Sequence, residues 1–126
     1  MEPEYPPTVV EHFRHPRNSG SFAAGARVIR GVAGSVAQGT LFALSARVAA
    51  ERIEAVRFEA YGCPHCIAAG SWLTERLVGL TRAELQAWNW READQQLQFP
   101  PEKRGRLLIL EDAVRALGEA WGALIP

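Results

Sequence analysis

The chain has 126 residues, 14 Lys+Arg balanced by 14 Asp+Glu, a hydrophobic fraction of 48% and a charged fraction of 22%. These values fit one globular domain over residues 1–126 and exclude a chain disordered along its length. No apolar run reaches the ~18 residues of a membrane span, and the neutral balance argues against nucleic-acid binding through phosphate charge.

Residues 1–7 carry three prolines and read as an irregular arm. Its opening residues, Met1-Glu2-Pro3-Glu4, lack the apolar core of a signal peptide, so a cytoplasmic protein is expected. A first helix is predicted from Thr8, as N-cap, to His15, with Val9, Val10 and Phe13 on its buried side. Pro16 stops it, and Arg17-Asn18-Ser19-Gly20 reads as a turn.

Three strands follow. The first is expected over Arg27–Val32, with Gly31, Gly34 and Gly39 punctuating a loop behind it. The second spans about Leu41–Val48. The third is the clearest, because Val56, Phe58 and Ala60 alternate with Arg57, Glu59 and Tyr61. The short link Ala49-Ala50-Glu51-Arg52 implies antiparallel pairing.

Beyond Gly62 the pattern becomes helical. One helix is predicted from Pro64 or His65 to Val78, with Ala69, Leu73 and Leu77 inward. Thr81-Arg82-Ala83-Glu84 reads as a capping box that starts a short helix carrying Leu85 and Trp88. A last helix is expected after Pro100-Pro101, with Leu107, Leu110, Val114, Leu117, Trp121 and Leu124 on one face. The fold class is therefore α+β, a three-stranded antiparallel sheet with helices packed on it.

One constellation carries chemistry. Cys63-Pro64-His65-Cys66 sits where a strand hands over to a helix, and the unpaired N–H groups of a helix start stabilise a thiolate. A protonated His65 would add positive charge beside both sulfurs. The spacing alone leaves three readings open: metal ligation, dithiol redox chemistry, and two small half-buried residues without a role. A lone pair does not close a tetrahedral site. Cys-Pro-His-Cys also resembles the active-site tetrapeptide of oxidising thioredoxin-like proteins, which implies a thiol–disulfide oxidoreductase. That fold needs a βαβ crossover after the motif, and the only further strand candidate here is Leu107–Leu110.

A longer resemblance covers about residues 5–122. Val9-Val10-Glu11-His12-Phe13 and Pro16-Arg17-Asn18-Ser19-Gly20-Ser21-Phe22 resemble the opening helix and turn of the IscU/NifU N-terminal family of iron–sulfur cluster assembly scaffolds. Phe58-Glu59-Ala60-Tyr61-Gly62-Cys63 resembles that family's strand into its central cysteine. Ile67-Ala68-Ala69-Gly70-Ser71, Phe99-Pro100-Pro101-Glu102-Lys103 and Glu111-Asp112-Ala113-Val114 match further segments in order.

The resemblance implies a scaffold that binds an iron–sulfur cluster or iron. It also implies a cysteine desulfurase as sulfur donor, and a heat-shock chaperone reading Phe99, Pro100, Pro101 and Lys103. Turnover by the chain itself is not expected. The family's ligand set is largely replaced. Only the central cysteine persists, as Cys63. The other ligand positions fall on Gln38, Thr40, Gly105 and Arg106, and Cys66 and His65 are additions. The candidate metal donors are therefore Cys63, Cys66 and His65. They would hold iron, zinc, or a cluster completed by a small thiol or a second copy of the chain. A module that keeps the family's partners and binds no metal is the remaining alternative. His12 is expected to be structural. Trp72, Trp88, Trp90 and Trp121 read as core or partly covered surface and not as a stacking platform, and the glycines lack the Gly-Lys-Ser/Thr of a phosphate loop.

Overall fold

The computed structural model describes residues 5–124. Helix α1 (Pro7–Arg14) is followed by a meander of β1 (Val28–Ser35), β2 (Thr40–Ala49) and β3 (Arg52–Tyr61). Then come α2 (Pro64–Arg76), α3 (Arg82–Gln86), α4 (Arg91–Leu97), a 3-10 turn (Pro101–Lys103) and α5 (Gly105–Leu124). The strand order is β1-β2-β3, antiparallel throughout. The expected α+β class is what the chain adopts. The Leu107–Leu110 segment is helix, so no βαβ crossover follows the cysteine motif.

One face of the sheet carries Ile29, Phe42, Leu44, Ala46, Val56 and Phe58 inward, as period-two alternation requires. Helices α2 and α5 cover that face with Leu73, Leu77, Leu107, Leu110, Val114 and Leu117. Two glycines set how closely they approach. A Cβ on Gly31 would fall 2.6 Å from the Leu117 backbone nitrogen and against the Ala113 carbonyl, and one on Gly70 would fall against the edge of the Phe58 ring. Strand β1 runs on to Ser35 instead of ending at Val32, because Ala33, Gly34 and Ser35 continue the ladder against Phe42, Leu41 and Thr40. Gly31 and Gly34 are strand residues that admit neighbouring backbone, not loop punctuation.

Other expectations need correction. Helix α1 is entered from Pro6 and not from a Thr8 cap, and no side chain caps it. Its buried face holds Val9 and His12, while Phe13 is exposed. His12 replaces the phenyl because its Nδ1 pairs with the buried Ser71 hydroxyl at 2.8 Å, and that oxygen also accepts the Arg17 N–H. Helix α4 was not expected at all. Leu124 is exposed, not part of the core stripe. The Ala50-Glu51 turn has positive φ at both residues, the hand that matches the twist of a two-residue hairpin. The capping box at Thr81 and Glu84 forms as read. Of the predicted arm, residues 1–4 lie outside the described residues, and Pro7 already belongs to α1.

The free edge of β3 is covered twice. The Phe58 N–H donates to the Asn18 carbonyl, and the Phe58 carbonyl accepts the Gly20 N–H. Further along, Ile53 exchanges backbone hydrogen bonds with Gly79 and Leu80. Asn18 also donates its side-chain amide to Thr74 on α2, tying the strap to the helix behind.

Candidate functional site

The β3–α2 junction is shaped by Gly62, which holds φ at +154°, a region closed to side chains without strain. The next residue, Cys63, is extended and caps α2, and Pro64 takes the first helical position, where no N–H is needed. The Cys63 carbonyl accepts the N–H of Cys66 at 2.9 Å and of Ile67 at 3.2 Å. One turn of helix thus brings the two side chains onto one face, with Sγ atoms 3.7 Å apart. Cys63 is half-buried and Cys66 is fully buried. Cys66 can sit there because Gly62 has no side chain. A Cβ at that position would stand 2.8 Å from the Cys66 sulfur.

The two sulfurs are electrically unlike. The hydrogen bond from Cys66 pulls the Cys63 thiol down to about 4. Burial opposes that shift, while the N–H of Cys66, the charge of Lys103 and the N–H of His65 add to it. Cys66 is pushed up, first by its bond to the Cys63 sulfur and then by burial. At neutral pH the pair is a Cys63 thiolate that accepts a hydrogen bond from the Cys66 thiol.

His65 is buried, and its side chain both hydrogen-bonds to Cys63 and packs into an aromatic cluster. Its ring packs 4.8 Å from that of Tyr5 and edge-on, at 4.9 Å, to that of Phe99. Its Nδ1 lies 3.3 Å from the Lys103 ammonium, which makes it the acceptor. Burial and then Lys103 lower its pKa, so the ring is neutral. The imidazole stays beside Cys63 but uncharged, and the positive charge there comes from Lys103. No sequence signal links Lys103 to the motif, because the pair is 38 residues apart.

Other chain segments approach the same junction. The carbonyl of Gly39 lies 3.5 Å from where a Gly62 Cβ would be, so the β1–β2 turn borders the junction. In that turn Gln38 is exposed, and its backbone N–H is held by Ser35. Thr40 is buried at the start of β2. Gly105 opens α5 in the open, and Arg106 is half-buried with its charge felt by His65 and Cys66. Around the 3-10 turn, Phe99 is buried, Pro100 and Lys103 are half-buried and Pro101 is exposed. The β1–β2 turn, the 3-10 turn and the start of α5 therefore lie near the junction, the last two bringing the charges of Lys103 and Arg106. Among the described residues no group of three or more His, Cys, Asp or Glu side chains is placed to hold a metal ion. None of the helices there is long and apolar enough to cross a membrane.

The chain resembles proteins of known kind over most of its length. It is 36% identical over 114 residues to the iron-sulfur cluster assembly scaffold protein IscU of Escherichia coli K12, covering 89% of each chain. It is 34% identical over 115 residues to iron sulfur cluster assembly protein 2, mitochondrial, of Saccharomyces cerevisiae, covering 89% of this chain and 74% of that one. The crystal structure of an N-terminal NifU-like protein from Brucella abortus superposes with a TM-score of 0.56 at 18% identity, over 95% of this chain and 90% of that one, which is a likeness of fold. Residues 4–119 match the NifU-like N terminal domain, and with the meander, the covering helices and the cysteine-capped α2 in place, the chain belongs to that family.

Proposed function

We propose that this chain is an iron–sulfur cluster assembly scaffold in which Cys63 and Cys66 receive the iron or the sulfur of the nascent cluster. The observation that carries the reading is the 3.7 Å separation of the two sulfurs. Two thiolates at about 2.3 Å from one tetrahedral ion stand about 3.8 Å apart, so the pair spans one metal without moving. The names of the relatives support the same reading. Two sulfurs supply half of a cluster's usual ligands, and a second chain or a small thiol completes the set. With Nδ1 held by Lys103, His65 can enter the donor set only through Nε2. A cysteine desulfurase delivering sulfur to Cys63 and a heat-shock chaperone reading Phe99, Pro100, Pro101 and Lys103 are the partners this reading entails.

Anaerobic reconstitution with ferrous iron and sulfide tests it. The expected product shows sulfur-to-iron charge-transfer absorption that disappears in Cys63→Ser and in Cys66→Ser. Equal iron and sulfide retention in the double variant would remove the pair from the site. Zinc, with no colour in this range, would show in elemental analysis as the only metal kept.

A further inference from the structure

The cysteine pair is unequal in access and equal in reach. Cys63 is half-buried and Cys66 wholly buried, yet their sulfurs are in contact at 3.7 Å. A reagent from solution therefore meets Cys63 first, and whatever it leaves there rests directly on a second thiol. Gly62 keeps the Cys66 sulfur against the junction, where any side chain would displace it. The neighbouring charges are cationic, Lys103 and Arg106, which suits an anionic sulfur donor better than a bare metal cation.

We propose that Cys66 reduces a sulfane sulfur carried on Cys63, so that the chain itself releases sulfide and closes a Cys63–Cys66 disulfide. This rests on the reading of Cys63 as sulfur acceptor. The donor is a persulfide or polysulfide. Its terminal sulfur passes to the Cys63 thiolate, and the remainder leaves as the donor's thiolate. Cys63 then carries a persulfide. The Cys66 sulfur attacks Cys63 Sγ, and the bond between Cys63 Sγ and the added sulfur breaks. The departing sulfur keeps the bonding pair, takes the Cys66 proton and leaves as hydrogen sulfide. The added sulfur has gained two electrons and the two cysteines have lost them as a disulfide. A dithiol reductant resets the pair, so without one each chain turns over once. The geometry favours the second step, since the sulfurs need close only from 3.7 Å to about 2 Å, within one turn of a helix start.

The test uses the full chain and sodium polysulfide, without oxygen or added reductant. Samples are alkylated at intervals and read by mass spectrometry, with free sulfide measured after desalting. The wild type is expected to lose both free thiols, acquire the internal disulfide and release one sulfide per chain. Cys66→Ser and Cys66→Ala are expected to hold the persulfide on Cys63 and release none, and Cys63→Ser to acquire no sulfur. A wild type that keeps a stable persulfide overturns the proposal, as does a Cys66 variant that releases sulfide at the wild-type rate, or a Cys63 that takes up no sulfur. The wild-type disulfide decides the matter even if a Cys66 variant fails to fold. Reconstitution with iron and free sulfide bypasses this step, so its result stands or falls separately.

Discussion

Replacing Gly62 by alanine should disturb both the fold and the sulfur pair. Two costs are visible. A side chain at φ +154° strains the backbone by about 1–3 kcal/mol. The new carbon would also stand 2.8 Å from the Cys66 sulfur and 2.9 Å from its Cβ. That is about 0.7 Å or more inside ordinary contact, and overpacking of this kind costs about 1–3 kcal/mol. Part of the second cost is relieved if Cys66 shifts, so the expected total is about 2–4 kcal/mol, a large share of a typical stability of about 5–15 kcal/mol. Gly39 is the natural control. It has φ +82° and nothing within 4 Å of its would-be Cβ, so Gly39→Ala should incur backbone strain alone. Urea unfolding of the two variants at unchanged m-value measures the difference. The relief route has its own signature: a displaced Cys66 no longer donates to Cys63, and iodoacetamide should react more slowly with Cys63 near pH 6. If Gly62→Ala costs no more than Gly39→Ala and leaves Cys63 reactivity unchanged, the contact between Gly62 and the sulfur pair has been misjudged.

Cys63 in the native protein should alkylate at a rate that stays flat from about pH 8 down to about pH 5 and falls only as the pH nears about 4. In Cys66→Ala, which lacks the leading cause of the shift, the rate should already drop well above that; a wild-type rate that tracks ordinary free cysteine would refute the assignment. The same shift bears on stability. Folded Cys63 binds fewer protons than an unfolded thiol of pKa 9.0, so its contribution rises with pH between about 4 and 9.0. Cys66, shifted upward, withdraws stability above 9.0. Denaturation midpoints across pH should show that rise flattening or reversing near 9.0, and the Cys63→Ser, Cys66→Ser double variant should lack this component. Gly31→Ala should cost about 2–4 kcal/mol, because its new carbon meets the backbone of α5, which cannot rotate aside. A loss under about 0.5 kcal/mol in urea would mean that α5 rides on the sheet more loosely than described.

What the sequence revealed depended on how local the determining physics is. Strand β3 was readable because Val56 and Phe58 face the core while Arg57 and Glu59 face water, a pattern contained in four consecutive residues. The capping box was readable because Thr81 and Glu84 satisfy each other. Helix α4 was not, since its inward face is only Ala93 and Leu97, too little for a periodic signal. Hydrophobicity chose Phe13 over His12, and the choice reversed because a serine 59 residues away meets the imidazole. The same limit applied to the site. Two cysteines at a strand-to-helix change announced thiol chemistry, and their spacing already put them on one helical turn. That one would be buried and the other accessible depended on Gly62 and on the packing of α2. That a lysine would occupy the electrostatic role expected of His65 depended on the 3-10 turn after Pro100.

The strap over β3 has a consequence for how this molecule meets others. A bare strand edge offers a ladder of unused backbone donors and acceptors that invites another chain to extend the sheet. Here residues 18–20 and 79–80 occupy that ladder at two points along β3, which leaves β1 as the side on which the sheet could lengthen. Any association by strand addition would thus approach from the rim opposite the strand that leads into the cysteines, so polymerising growth and cargo handling would use different borders of the same sheet.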